Sequence, residues 1–186
     1  MAKATFTVGV FGLACWNDNG TLRIKVNVRT DQERQRELAK LPADSQVLII
    51  DMPGGGVDLE DFPDIKAANL LEVLRREFAE ETGGCHFHTL TDDFSGPVMV
   101  VTNNQDGTKP AGDLAFWRPI RMYGKPRPTN EALDHPWVSE KELDEETTYR
   151  CVGGLGKAGR TGRMLKAAFG FYQAHRDQSQ YFSIPE

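Results

Sequence analysis

The stretch "LLEVLRREFAEETGG" (residues 70–84), introduced by "MPGGGVDLED" (residues 52–61), decides how this chain folds. At about 100° per residue, Ala67, Leu71, Leu74 and Phe78 fall on one stripe of a helix over residues 65–82. Glu77, Glu80 and Glu81 fall on a second stripe about a quarter turn away. Gly83 and Gly84 supply a C-terminal stop. Like charges three and four apart destabilise a helix by roughly 0.2–0.5 kcal/mol per pair, so the crowding needs a reason. One account is a solvated face on which Arg76 pairs with Glu80 at i,i+4. The other is a cation site, because a divalent ion answers the repulsion directly and hard cations prefer carboxylate and carbonyl oxygens. The preceding glycines allow close backbone approach and offer a carbonyl as a further ligand.

Outward from this helix, the chain reads as interleaved strands and helices. Phe6, Val8 and Val10 alternate with small and polar residues, and "NDNG" follows, so residues 4–16 and 21–29 pair as a hairpin around Asn17–Gly20. Residues 30–45 are strongly polar with Leu38 and Leu41 as anchors, and form a solvated insertion. "QVLIIDM" is a buried strand running into the glycines. "CHFHTLTDDFSGPVMVVTN" and "GDLAFWRPIRMYG" supply further strands across the turn-forming "NNQDGTKPAG". In "PWVSEKELDEE", Ser139 and Glu142 have capping-box spacing, and the chain closes with an amphipathic helix over about residues 161–178 capped by Thr161. The expected architecture is a single α/β (α+β) domain over residues 1–186 around one mixed sheet.

The net charge of −5 argues against a nucleic-acid polymer as partner, since no basic field repays counterion release. Cys15, Cys85 and Cys151 are odd in number and show no CxxC spacing, which speaks against a disulfide framework or a zinc knuckle and for a reducing cytoplasm. No stretch approaches the roughly 18 apolar residues of a membrane span. The lysine and apolar run at the N-terminus read as a strand and not as a signal peptide.

"REFAEETGG" resembles the C-terminal half of the Nudix box, G-x5-E-x7-R-E-U-x-E-E-x-G-U, where U is a bulky apolar residue. Arg76, Glu77, Phe78, Glu80, Glu81 and Gly83 match it, while Gly84 stands where the last U belongs. "PGGGVD" resembles the loop that opens the box, and "NEALDHPWVSEKEL" resembles the segment in which a loop acid precedes a Trp-containing strand end. The resemblance implies a Nudix-type mixed sheet sandwiched between helices, and hydrolysis of a pyrophosphate bond in a nucleoside diphosphate linked to another moiety. It implies that Glu77, Glu80, Glu81 and the Gly54 carbonyl bind Mg2+ or Mn2+, that Glu77 or Glu131 acts as general base, and that Arg76 orients the glutamates. It leaves a homodimer open, to which the insertion or the last helix would contribute.

The front half of the box departs from the pattern. From Gly55, five residues lead to Asp61 in place of glutamate, and fourteen residues instead of seven precede Arg76. Seven extra residues inside a helix rotate its faces by only about 20°, so both stripes stay aligned. Pro63 favours a loop or a first helical turn for them. Glu72, one turn before Arg76, is better placed than Asp61 to support that arginine, so Asp61 is left out of the site.

Other candidates carry less. "GLGKAG" lacks the strand that a dinucleotide-binding turn needs, although Lys157, Arg160 and Arg163 would make a basic lip for phosphate. His86 and His88 share a strand face without further ligands at zinc spacing, and Trp16, Phe116, Trp117 and Trp137 read as core before they read as base-stacking platforms. Two functions compete: a metal-dependent hydrolase, and a non-catalytic nucleotide-sensing module of the same fold. Retention of all three helical glutamates favours the hydrolase.

Overall fold

Alternation of small and apolar residues carries β1 (Thr5–Asp18) to a turn at Asn19–Gly20, from which β2 (Thr21–Lys25) returns in register, with Cys15 opposite Ile24. The computed structural model describes residues 5–30, 46–57, 67–103, 110–152 and 156–185. Residues 31–45 of the insertion expected at 30–45, and Asp61, lie outside the described residues.

The chain leaves β2 through Val26 and continues as β3 (Asn27–Arg29), which belongs to a different sheet. That second sheet has the order β11 (Tyr149–Cys151), β4 (Leu48–Asp51), β3, β9 (Ala132–Asp134). The first sheet has the order β10 (Trp137–Ser139), β2, β1, β8 (Pro110–Tyr123), β6 (His86–Thr89). In it, β5 (Gly54–Gly56) pairs with β1 and β7 (Ser95–Asn103) pairs with β8. The single mixed sheet expected from sequence is therefore two sheets, because one continuous stretch of alternation, residues 21–29, changes partners at Val26. Lys25 pairs with Trp137 in one sheet, and Asn27 pairs with Asp51 in the other.

Strand β1 sorts its side chains to two sides, as a period of two requires. Val10 and Ala14 pack with Leu70, Val73, Leu74 and Phe78 of α1 (Ala67–Glu81). Phe11, Leu13 and Cys15 pack with Met164, Leu165, Ala168, Phe169 and Tyr172 of α3 (Arg160–Ala174). The sheet is thus sandwiched between helices. Leu74 and Phe78 are fully buried, each contributing about 1.5–3 kcal/mol relative to exposure. The buried Tyr172 hydroxyl donates to the Leu13 carbonyl at 2.6 Å and accepts from the Ile120 N–H at 3.2 Å.

Ser139 caps α2 (Glu140–Glu145), and both halves of the capping box with Glu142 are formed. The last helix departs from its expected limits. Gly159 and not Thr161 is its N-cap, and the helix ends at Ala174, four residues before the expected 178. The Thr161 hydroxyl is spent on a buried carboxylate, described below, and so is withdrawn from capping.

Candidate active site

Helix α1 ends in its acids, and the two that turn inward are held differently. Glu81 is only 3% exposed. Its Oε2 accepts from Asn27 Nδ2 at 2.9 Å and from the Gly54 N–H at 2.8 Å, and its Oε1 accepts from Arg29 Nη1 at 3.0 Å. Burial pushes its pKa up to about 8, even though the Gly54 N–H and Arg29 pull downward, with Asp51 and Glu131 adding upward pressure. Glu77, one turn earlier, accepts from Arg76 Nη2 at 2.9 Å.

The glycines of β5 let the strand lie close to β1 and to Glu77. Gly54 has φ +141°, and a Cβ there would stand 2.1 Å from the Val10 carbonyl oxygen, so no other residue fits the backbone at that point. At Gly55 a Cβ would stand 2.0 Å from Oε2 of Glu77, so the strand lies directly against the carboxylate. Pairing of Gly54 with Phe11 and Gly56 with Gly9 fixes this strand on β1.

Asp51, at the end of β4, is buried like Glu81. Its Oδ1 accepts from the Met52 N–H at 2.9 Å and from the Thr161 hydroxyl at 3.0 Å. This contact ties the first turn of α3 to the strand that leads into the glycines. The neighbouring Arg160 guanidinium lies 5.2 Å from the Phe11 ring centroid.

These groups enclose a cleft of about 250 Å³ lined by Asp51, Glu77, Glu81 and Glu131, by Arg29 and Arg160, and by Gly54–Gly56, Thr7 and Phe11 among others. Larger hollows of about 570 Å³ beside Trp16 and Arg176 and about 700 Å³ beside Arg23 and Phe169 lie elsewhere. Size does not select the site; the smaller cleft gathers four carboxylates against a glycine strand.

Of the residues singled out from sequence, Gly54, Glu77, Glu81 and Glu131 line this one cleft. Gly54 meets Glu81 through its N–H. Arg76 holds Glu77 with its own side chain 47% exposed, outside the cleft lining. Glu80 is exposed and also outside the lining. Within the basic lip, Arg160 reaches the cleft, whereas Lys157 Nζ lies 3.7 Å from Asp144. Asp51, Asn27 and Arg29 escaped the sequence reading. In "RIKVNVR" the polar set Lys25, Asn27 and Arg29 alternates like a solvent face, and an acid ending an apolar strand reads as a boundary. The available signal was a row of donors on one strand facing an acid-rich helix.

Among the described residues, no group of three His, Cys, Asp or Glu side chains is gathered so as to hold a metal ion. In donor type the cleft nevertheless fits a hard divalent cation. Its acids are all oxygen ligands, Mg2+ keeps several waters and needs only one or two carboxylates, and a cation would offset the burial penalty that raises the Glu81 pKa.

The fold and the cleft define an α+β domain with an acid-lined site beneath a glycine strand. Its fold is the Nudix fold. It is similar to the NUDIX domain of Shewanella oneidensis NrtR complexed with ADP ribose, at 14% identity over 91% of this chain and 89% of that one, with a TM-score of 0.51. It is also similar to the E. coli ORF135 protein, at 18% identity over 94% and 96% of the two chains with a TM-score of 0.49. A C. elegans Ap4A hydrolase matches at 13% identity over 91% and 98%, also with a TM-score of 0.49. No family model matches the chain, and no curated protein matches it.

Proposed function

We propose that the chain is a metal-dependent Nudix hydrolase that cleaves a pyrophosphate bond in a nucleoside diphosphate linked to another moiety. The observation that carries this reading is the convergence of Glu77, Glu81 and Glu131 with the Gly54–Gly56 strand and two arginines on one cleft. The ADP ribose held by the NrtR NUDIX domain supports a ligand of the same chemical type. Glu77 and Glu81 are the proposed principal ligands of Mg2+ or Mn2+, with the Gly54 carbonyl; Glu80 stands at the exposed end of the set. A bound ion there would neutralise the diphosphate and lower the pKa of a water.

The chain's own residues would do the rest. Arg76 holds the Glu77 carboxylate in place, and Arg29 does the same for Glu81. Arg160, over the Phe11 ring, offers a positive charge at the cleft for a phosphate oxygen. Glu131, exposed at the cleft, is one candidate to take a proton from water, with Glu77 as the other. The three free, buried cysteines accord with a reducing compartment, and no helix among the described residues is long and apolar enough to cross a membrane.

One observation favours the competing reading of a nucleotide-binding module without turnover: both Glu81 oxygens already have protein donors. Phosphate release is measured over dNTPs, ADP-ribose, NADH, dinucleoside polyphosphates and nucleotide sugars, with Mg2+ and with EDTA. Mg2+-dependent release on at least one substrate is expected. Tight nucleotide binding without turnover on any member would replace the hydrolase with the module.

A further inference from the structure

We propose that Asn27 and His135 are positioning residues for Glu81, linked with the Arg127 carbonyl in a buried hydrogen-bond chain that holds the carboxylate on the cleft wall. Asn27 Nδ2 donates to Glu81 Oε2 at 2.9 Å. Asn27 Oδ1 lies 2.8 Å from His135 Nδ1, and His135 Nε2 lies 2.9 Å from the Arg127 carbonyl oxygen. Asn27 is fully buried and His135 is 7% exposed, so neither side chain can exchange its partners for bulk water.

The chain joins three separate parts of the fold. Asn27 belongs to β3, His135 follows β9, and Arg127 lies in the segment that leads to Glu131. That segment is pinned to the end of α1, because the Arg127 N–H donates to the Thr82 carbonyl at 3.1 Å and the Thr129 hydroxyl to the Glu81 carbonyl at 3.4 Å. Glu81 and the loop bearing Glu131 are therefore fixed relative to each other through side chains that never enter the cleft.

The direction of the Asn27 amide is what makes the chain specific. While its NH2 faces Glu81, its carbonyl faces Nδ1, which donates to it only when protonated; Nε2 faces a carbonyl and likewise donates only when protonated, so both bonds form together only in the doubly protonated ring. Burial, the largest influence, and the buried Lys25 hold the His135 pKa below its ordinary value, although the Arg127 carbonyl and Asp134 pull it upward, so the second proton is taken up only in acid. If the amide turns over, its NH2 meets the ring and Nε2 alone needs a proton. The protonation pattern of His135 thus reports whether Asn27 is holding the Glu81 carboxylate.

The role in cation binding rests on the reading of Glu81 as a cation ligand; the response of the ring does not. Calorimetric titration of the full chain with Mn2+ alone compares wild type with Asn27→Leu, His135→Leu and His135→Gln. The two leucine variants are expected to bind about tenfold more weakly, the usual range for lost support of a metal ligand. His135→Gln, which keeps an amide donor, is expected to recover most of the affinity. In parallel, the ring 15N resonances of His135 are followed from pH 5 to 9 in wild type and in Glu81→Leu, which removes the acceptor of the Asn27 amide. The Nδ1 signal is expected to shift toward the unprotonated range in the variant, two hydrogen bonds from the substitution. Wild-type Mn2+ affinity in folded Asn27→Leu, or superimposable ring resonances in wild type and Glu81→Leu, overturns the proposal. If Asn27→Leu does not fold, the ring resonances decide. A wild type that takes up no Mn2+ sinks the metal reading, and the ring resonances then test the chain alone.

Discussion

Helices α1 and α2 are both crowded with glutamate, and the fold treats the two in opposite ways. Glu142 stands in the first turn of α2, where the helix dipole favours a negative charge. Burial would raise its pKa, but the Ser139 hydroxyl, the Ser139 N–H and Arg23 outweigh it and hold the carboxyl below its ordinary value. Glu81 stands in the last turn of α1, against the negative end of the dipole, in a turn with no basic residue. It is buried, and its pKa is pushed up to about 8. A carboxylate that stabilises its helix is structural; one kept at a cost where it lines a cleft is a candidate for chemistry.

The comparison is broken most directly by neutralising each acid. Glu81→Gln is expected to lower metal-dependent turnover by at least about a hundredfold, while Glu142→Gln leaves it near wild type. Phosphate release on whichever panel member is turned over checks this, and turnover retained in Glu81→Gln would remove the distinction between the two helices.

The support of the first site comes next in size. Gly54→Ala forces a side chain onto φ +141° and against the Val10 carbonyl, and is expected to cost roughly 2 kcal/mol in urea unfolding. Helix α2 also ends at a positive φ, but there the left-handed region, at φ +49°, already accommodates a glutamate, Glu146.

The pH dependence of stability should then separate the acids by sign. The raised pKa of Glu81 means that its burial costs nothing below the unfolded value of about 4.5 and costs progressively more as pH rises toward about 8. In EDTA, Glu81→Gln should therefore melt above wild type at pH 9, with the gap closing toward pH 4. Glu142, with its pKa lowered, contributes stability that is present above about 4.5 and is lost as pH falls through the folded value. Glu142→Gln should melt below wild type at pH 7, and that gap should close in acid. Melting curves that move in the same direction for both variants would contradict the assignment. The smallest effect is that of Ser139→Ala, expected to cost about 1 kcal/mol while leaving turnover intact.

Much of this was legible locally. The stripe of Leu74 and Phe78, the alternation of β1 and the Ser139 capping box each follow from a few adjacent residues and from fixed backbone periods, and all appear in the fold. The resemblance brought Glu77, Glu81, Gly54 and Glu131 together on paper, and the fold places them on one cleft. Thr161 shows where local reasoning fails. Its spacing suits a cap, but Asp51, 110 residues earlier in the chain, claims the hydroxyl.

The sequence by itself determined the elements, the acidic register of α1 and the glycines that allow a strand to lie against it, because these depend on neighbours within one or two turns. Only the tertiary structure decided that Glu81 is buried while Glu80 is exposed, and that the polar row Asn27–Arg29 faces an acid instead of water. The physical reason is that desolvation and partner choice are set by what packs across the sheets. Here a strand that changes sheets at Val26 carries its donors to the end of a helix more than fifty residues away.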